Sequence, residues 1–182
     1  MNDTKDLSTG TQLLAGAVRT VSDWPKPGVQ FKDITPILAD PVLFHEAVEA
    51  LAAPFRKDGI TKVVAIEARG FILGAALAER LGAGFVPVRK KGKLPYKTVE
   101  ASYSLEYGTD TIEMHVDAIH PNDRVLIHDD VIATGGTALA SYEIASQMGG
   151  EVVGMAFLIE LGFLKGRSRL DGNLRIHSVL HF

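Results

Sequence analysis

The chain has 182 residues, of which 46% are hydrophobic, 7% aromatic and 23% charged, the proportions of a single globular domain (1–182) that can bury about 70% of its unfolded surface without a disulfide or metal staple. It contains no Cys, which excludes thiol nucleophiles, zinc–thiolate sites and iron–sulfur ligation and predicts a reducing, cytoplasmic setting. Lys+Arg 19 against Asp+Glu 22 gives a net charge of −3, so no global field draws nucleic acid, and any basic site must be local.

The polar start Met1–Asp6 predicts no signal peptide. The longest apolar runs, Gly70–Ala78 and Val152–Ile159, fall short of the roughly 18 residues of a membrane span. Leu13, Leu14, Ala17, Val18 and Val21 recur at helical spacing. A second helix starts with Asp40 as N-cap and Pro41 in its first turn, with Leu43, Ala47, Val48, Leu51 and Phe55 as its apolar face. Lys62–Ile66 reads as a buried strand, followed by a short loop and a helix over Phe71–Leu81 that stops at Gly82. Phe85–Val88 is a short strand, and a basic loop runs from Arg89 to Lys97. Ser102–Tyr107 and Thr111–Val116 form a hairpin turned at Gly108-Thr109-Asp110. Arg124–His128 is apolar on both faces and leads through a loop to a helix over Ala138–Met148. Val152–Ile159 supplies another buried strand, and Arg175–Leu180 a last edge strand. Strands alternating with helices predict an α/β fold with a mainly parallel central sheet flanked by helices, whose ligands bind beyond the carboxyl ends of the strands.

Three loops therefore carry the chemistry. After His128, Thr134-Gly135-Gly136-Thr137 leads into a helix, where backbone N–H groups, two hydroxyls and the helix dipole can close on a phosphate. In isolation the same string reads equally as a tight turn with Thr137 as N-cap. Asp129 and Asp130 precede it, and adjacent carboxylates suit the vicinal hydroxyls of a ribose. After Ile66, Glu67-Ala68-Arg69-Gly70 reads either as a surface ion pair or as an anion clamp. After Val88, Arg89-Lys90-Lys91-Gly92-Lys93 places four cations in five residues, a solvated edge on its own and a lid if an anion binds nearby.

The string VLIHDDVIATGGTA resembles the signature of the type I phosphoribosyltransferases, which use 5-phosphoribosyl-1-pyrophosphate (PRPP). The resemblance implies that Asp129 and Asp130 contact the ribose hydroxyls and that Ala133, Thr134, Gly135, Gly136 and Thr137 hold the 5′-phosphate. It places the pyrophosphate on Glu67, Ala68, Arg69 and Gly70, with a non-proline cis peptide at Glu67–Ala68, and adds Arg89 and Lys93 from a mobile lid and hairpin over 89–107. His128 departs from the pattern, where an apolar residue is usual. WPKPGVQFKDITP at 24–36, EARGF, RKKGKLP, SLEYG and ELGFLKGR are similar, in order, to the adenine-using branch of the family. That likeness implies a small N-terminal hood in which Val29, Gln30, Phe31 and Lys32 receive adenine, Phe31 stacking on the base. Ala133 and Gly136 stand where members that take 6-oxopurines carry an Asp and a Lys or Arg. Glu106 is implied as the proton-handling catalytic residue alongside Arg69, with Tyr107 helping to close the site.

The implied reaction forms AMP and pyrophosphate in purine salvage. The alternatives are transfer to another base, xanthine or orotate, and a non-catalytic PRPP-sensing regulator. The six His residues show no metal-ligand spacing; Mg²⁺ is expected through the substrate's own oxygens. The expected partners are adenine and PRPP, with neither nucleic acid nor membrane, and the family implies a homodimer.

Overall fold

The structure is a computed structural model that describes residues 9–104, 109–170 and 172–182. The chain divides into two compact units, residues 1–50 and 51–182.

The first unit contains helix α1 (Thr9–Ala17), strands β1 (Arg19–Ser22) and β2 (Gln30–Asp33), and the short helix α2 (Thr35–Ala39). Helix α3 (Pro41–Ala52) runs through its boundary. The helical spacing of Leu13 to Val21 predicts one helix, yet α1 stops at Ala17, and Val21 lies in β1 opposite Phe31. The segment Arg19-Thr-Val-Ser is rich in β-branched residues, and antiparallel pairing with β2 satisfies its backbone where a continued helix would restrict those side chains. Lys32 Nζ on Thr20 Oγ1 at 3.0 Å and Arg19 on Asp33 at 3.4 Å tie the same ribbon. Asp40 caps α3 as its sequence predicts, its Oδ1 accepting from Val42 N at 2.8 Å and Leu43 N at 3.0 Å. On the predicted apolar face Ala47, Val48, Leu51 and Phe55 are buried.

The second unit is built on a seven-stranded sheet. Its strands are β3 (Lys62–Ile66), β4 (Gly84–Lys90), β5 (Thr98–Ser104), β6 (Thr109–His115), β7 (Arg124–Ile132), β8 (Glu151–Glu160) and β9 (Arg175–His181), in the order β5-β6-β4-β3-β7-β8-β9. From β4 to β9 neighbouring strands run parallel, and β6 and β5 add an antiparallel edge. Helices α4 (Arg69–Leu81) and α5 (Gly136–Gln147) make the crossovers. Gly82 stops α4 with φ 67°, its N–H returning to Ala78 and Glu79 carbonyls. Val64, Val88, Ile127, Ile144 and Phe157 lie at the centre of the core, fully buried. No helix among the described residues is long and apolar enough to cross a membrane.

Four strands have bounds that differ from the sequence reading for a pairing reason. β7 continues past His128 to Ile132, because β8 follows it through Val131↔Ile159 and Ile132↔Glu160. β3 pairs with β7 only as far as Ala65↔His128, so Asp129 and Asp130 are strand residues with one flank open. β4 carries Arg89 and Lys90 into the sheet against Glu113 and Ile112 of β6. β5 starts at Thr98, four residues before the predicted strand, and pairs along all of β6; Thr109 and Asp110 are paired residues rather than turn residues. The tip of that hairpin, 105–108, lies outside the described residues.

Candidate active site

β3 sends its crossover to β4 on one side, while β7 lies on the other. Strand order reverses there, and the carboxyl ends of the three strands frame a crevice of the kind in which α/β proteins bind ligands.

Asp130 is buried, its Oδ2 lying 2.9 Å from Nε of Arg69 in the first turn of α4. Its N–H donates to Asp129 Oδ1 at 2.9 Å. α4 can come this close because residue 70 is glycine: a Cβ there would lie 2.7 Å from Asp129 Oδ1 and 3.2 Å from Asp129 Cα. Burial pushes the Asp129 carboxyl well above the ordinary aspartate range, and the neighbouring Asp130 charge adds to the rise. Burial also raises Asp130, against the opposing pull of Arg69. The two adjacent acids thus form an acceptor pair that gains from a hydroxyl donor or a cation.

Beyond Ile132, Ala133–Gly135 turn into α5. Gly135 sits just before the helix at φ 80°, a conformation that favours glycine. A cleft of about 320 Å³ is lined by Asp129, Thr134, Gly135, Gly136, Thr137 and Phe157. Free N–H groups at a helix start beside two threonines make an anion cradle. A second cleft of about 360 Å³ is lined by Glu67, Arg89, Lys90 and Tyr103, and shares Asp129 and Thr137 with the first. Asp129 therefore stands between an anion cradle and a cationic cleft, with Asp130 buried beside it.

The peptide Glu67–Ala68 is cis, as the resemblance implies. The charges after β3 turn to different partners: Arg69 to Asp130, and Glu67 to Arg89 Nη2 at 2.7 Å and Lys93 Nζ at 3.3 Å. Arg89 foremost holds the Glu67 carboxyl below its ordinary value. The basic run thus divides. Lys90 pairs with Asp110 and Lys91 with Glu100 on the hairpin, whereas Arg89 and Lys93 converge on Glu67.

Glu113, which the sequence reading does not single out, organises that turn. It is 3% exposed, and its Oε1 accepts from Lys93 N at 2.9 Å and Leu94 N at 2.8 Å. Burial raises its carboxyl, but the backbone donors outweigh this and hold it below the ordinary glutamate value. Lys93 O in turn accepts from Arg89 Nη1 at 2.7 Å. The signal was an acid facing a basic run, legible only once the register Arg89↔Glu113 is known.

His128 is fully buried behind the acids, its Nδ1 2.9 Å from Ala156 O; burial lowers its pKa to about 4. Gly74 leaves room for it, since a Cβ there would lie 3.2 Å from His128 Cδ2. Glu106 and Tyr107 lie outside the described residues. Gln30, Phe31 and Lys32 lie on β2 in the first unit, preceded by Val29, and the Trp24 ring packs edge-on against Phe31 at 4.4 Å.

The fold and this crevice define a phosphoribosyltransferase: residues 37–172 match the phosphoribosyl transferase domain family. The adenine phosphoribosyltransferase of Acidothermus cellulolyticus is 57% identical over 169 residues, covering 93% of this chain and 95% of the relative. The crystal structure of that enzyme from Rhodothermus marinus superposes with a TM-score of 0.92 at 64% identity, over 96% of this chain and 99% of the other. The Saccharomyces cerevisiae enzyme, complexed with adenine and an imino-altritol bisphosphate, superposes at 0.90 with 40% identity, over 96% and 100%. The chain belongs to the adenine phosphoribosyltransferase family.

Proposed function

We propose that this protein transfers the 5-phosphoribosyl group of PRPP to N9 of adenine, giving AMP and pyrophosphate in purine salvage. The observation that carries the assignment of parts is an anion cradle and a cationic cleft that share Asp129 and Thr137. A pentose with a phosphate at C5 and a pyrophosphate at C1 has the same order of charges.

Ala133, Thr134, Gly135, Gly136 and Thr137 take the 5′-phosphate, and Asp129 and Asp130 accept from the ribose hydroxyls. Glu67, Ala68, Arg69 and Gly70 form the floor for pyrophosphate, and Arg89 and Lys93 neutralise it as it departs. The basic turn they belong to is the lid that excludes water from an oxocarbenium-like centre. Val29, Gln30, Phe31 and Lys32 are assigned to adenine, with the Phe31 ring on its face. N9 attacks C1 as the C1–oxygen bond breaks and its electron pair leaves on pyrophosphate. Glu106 takes the proton that the purine sheds, and Tyr107 helps to close the site. Much of the acceleration comes from positioning and fixed charge.

Mg²⁺ fits this arrangement as a substrate-borne ion. Among the described residues no group of three or more His, Cys, Asp or Glu could hold a metal, while the adjacent Asp129 and Asp130 carboxylates suit the rim of an ion held chiefly by phosphate oxygens and water. When bound, the ion neutralises charge on the leaving pyrophosphate. Chelation with EDTA is expected to abolish turnover, and added Mg²⁺ to restore it.

A homodimer and a cytoplasmic location complete the reading. Sedimentation equilibrium should then give twice 19.6 kDa. The decisive assay is pyrophosphate release from PRPP and Mg²⁺ with adenine, hypoxanthine, guanine, xanthine and orotate in parallel. Strong selectivity for adenine is expected. Selectivity for another base would overturn the base assignment, and PRPP binding without turnover would indicate a regulator.

A further inference from the structure

The turn that follows β8 ends against the anion cradle, and two glycines meet there backbone to backbone. β8 closes on Glu160 opposite Ile132, and Leu161 N–H donates to the Ile132 carbonyl at 3.0 Å. The chain continues through 3₁₀ turns at Gly162–Leu164 and Gly166–Arg169, with Lys165 at φ 54° between them. A Cβ on Gly166 would fall 2.2 Å from the Ala133 carbonyl oxygen and 2.9 Å from Gly135 N. A Cβ on Gly135 would fall 2.4 Å from the Gly166 carbonyl oxygen. The opposing atoms are backbone on both sides, so no side-chain rotation relieves the contact.

The residue after Gly166 is clamped. Arg167 places Nε 3.0 Å from Glu160 Oε1 and Nη2 2.5 Å from Glu160 Oε2. Its Nη1 donates to the Ile176 carbonyl of β9 at 2.9 Å, and Ser178 Oγ of β9 donates to Glu160 Oε2 at 2.7 Å. Arg167 foremost holds the Glu160 carboxyl below its ordinary value, so the pair is charged at neutral pH. A planar fork on a carboxylate has a defined geometry that an ammonium does not reproduce.

We propose that Gly166 and Arg167 are positioning residues for the sugar's terminal phosphate: the Arg167–Glu160 fork seats Gly166 against Ala133 and Gly135 and so sets the width of the cradle. The inference rests on the assignment of that cradle to the 5′-phosphate. Neither residue touches substrate; both act through the backbone of the cradle loop. The cationic cleft does not depend on them, which separates a local role from a general loss of structure.

The test is calorimetric titration of wild type, Gly166→Ala and Arg167→Lys with ribose 5-phosphate and, separately, with pyrophosphate and Mg²⁺, together with the KM for PRPP and kcat. Ribose 5-phosphate affinity is expected to fall about tenfold or more in Gly166→Ala and about fivefold in Arg167→Lys, with pyrophosphate affinity within about twofold of wild type and KM for PRPP rising more than kcat falls. Arg167→Lys keeps the charge and the stem, so it reads the fork even where Gly166→Ala does not fold. Equal loss of both ligands, or no loss of either, would overturn the brace. Wild type that turns over but does not bind ribose 5-phosphate would overturn the phosphate assignment of the cradle and the brace with it.

Discussion

Asp129 and Asp130 stand where burial raises both carboxyls, so the fold tolerates charge there less readily than water does. Between the ordinary aspartate value of 3.8 and the raised native value, the folded state keeps a proton that the unfolded chain releases, and stability falls as pH rises through that window. Asp129→Asn removes the charge and is expected to melt above wild type at about pH 8, the advantage shrinking toward the ordinary value, while its KM for PRPP rises about tenfold or more. Thermal melts across pH beside steady-state kinetics check both halves; a variant less stable than wild type at high pH would contradict the electrostatic account. His128 has the opposite sign. Its native pKa of about 4 lies below the ordinary 6.5, so the unfolded chain takes up a proton first and stability drains away as pH falls between those values. The linkage is worth roughly 3 kcal/mol. His128→Leu should flatten the acid limb of the stability curve over that range in urea titrations, and an unchanged limb would mean that the imidazole is not the group responsible.

At the scale of the element, β7 shows how a strand can carry chemistry. Its residues Val125–His128 are flanked by β3 and β8, whereas from Asp129 onward only β8 remains beside it. The open flank is what Arg69 and Gly70 approach. β6 does comparable work from the other side of the crevice, placing Glu113 under the basic turn that would otherwise be a solvated edge. Glu113→Gln keeps an acceptor oxygen but loses the charge that gathers the backbone donors of Lys93 and Leu94. The expected result is a rise of about fivefold in the pyrophosphate dissociation constant and in KM for PRPP, with ribose 5-phosphate binding within about twofold of wild type. This is the mirror of the pattern expected for Gly166 and Arg167, so the two sets of variants test the two ends of the site independently.

At the scale of the whole molecule, a net charge of −3 coexists with a cluster of cations after β4. Attraction of a polyanion is therefore local and partly screened by salt, whereas adenine is neutral. KM for PRPP should rise with ionic strength while KM for adenine stays nearly level; parallel increases would point to a general effect on the fold. Local sequence determined a good deal about this protein: the alternating strands and helices, the Asp40 cap, the Gly82 stop, and the three loops at strand ends, since these depend on neighbours within a few residues. Composition excluded thiol and metal–thiolate chemistry, and the ordered motifs identified the family that the comparisons confirm. Tertiary structure alone decided that Val21 belongs to a strand, that Asp129 and Asp130 extend β7, that Arg89 and Lys93 pair with Glu67 while Lys90 and Lys91 pair with acids of the hairpin, and that Glu113 and Gly166 buttress the crevice. The reason is common to all of them: each is settled by register or close approach between segments far apart in the chain, and such pairing leaves no periodic trace in either segment taken alone.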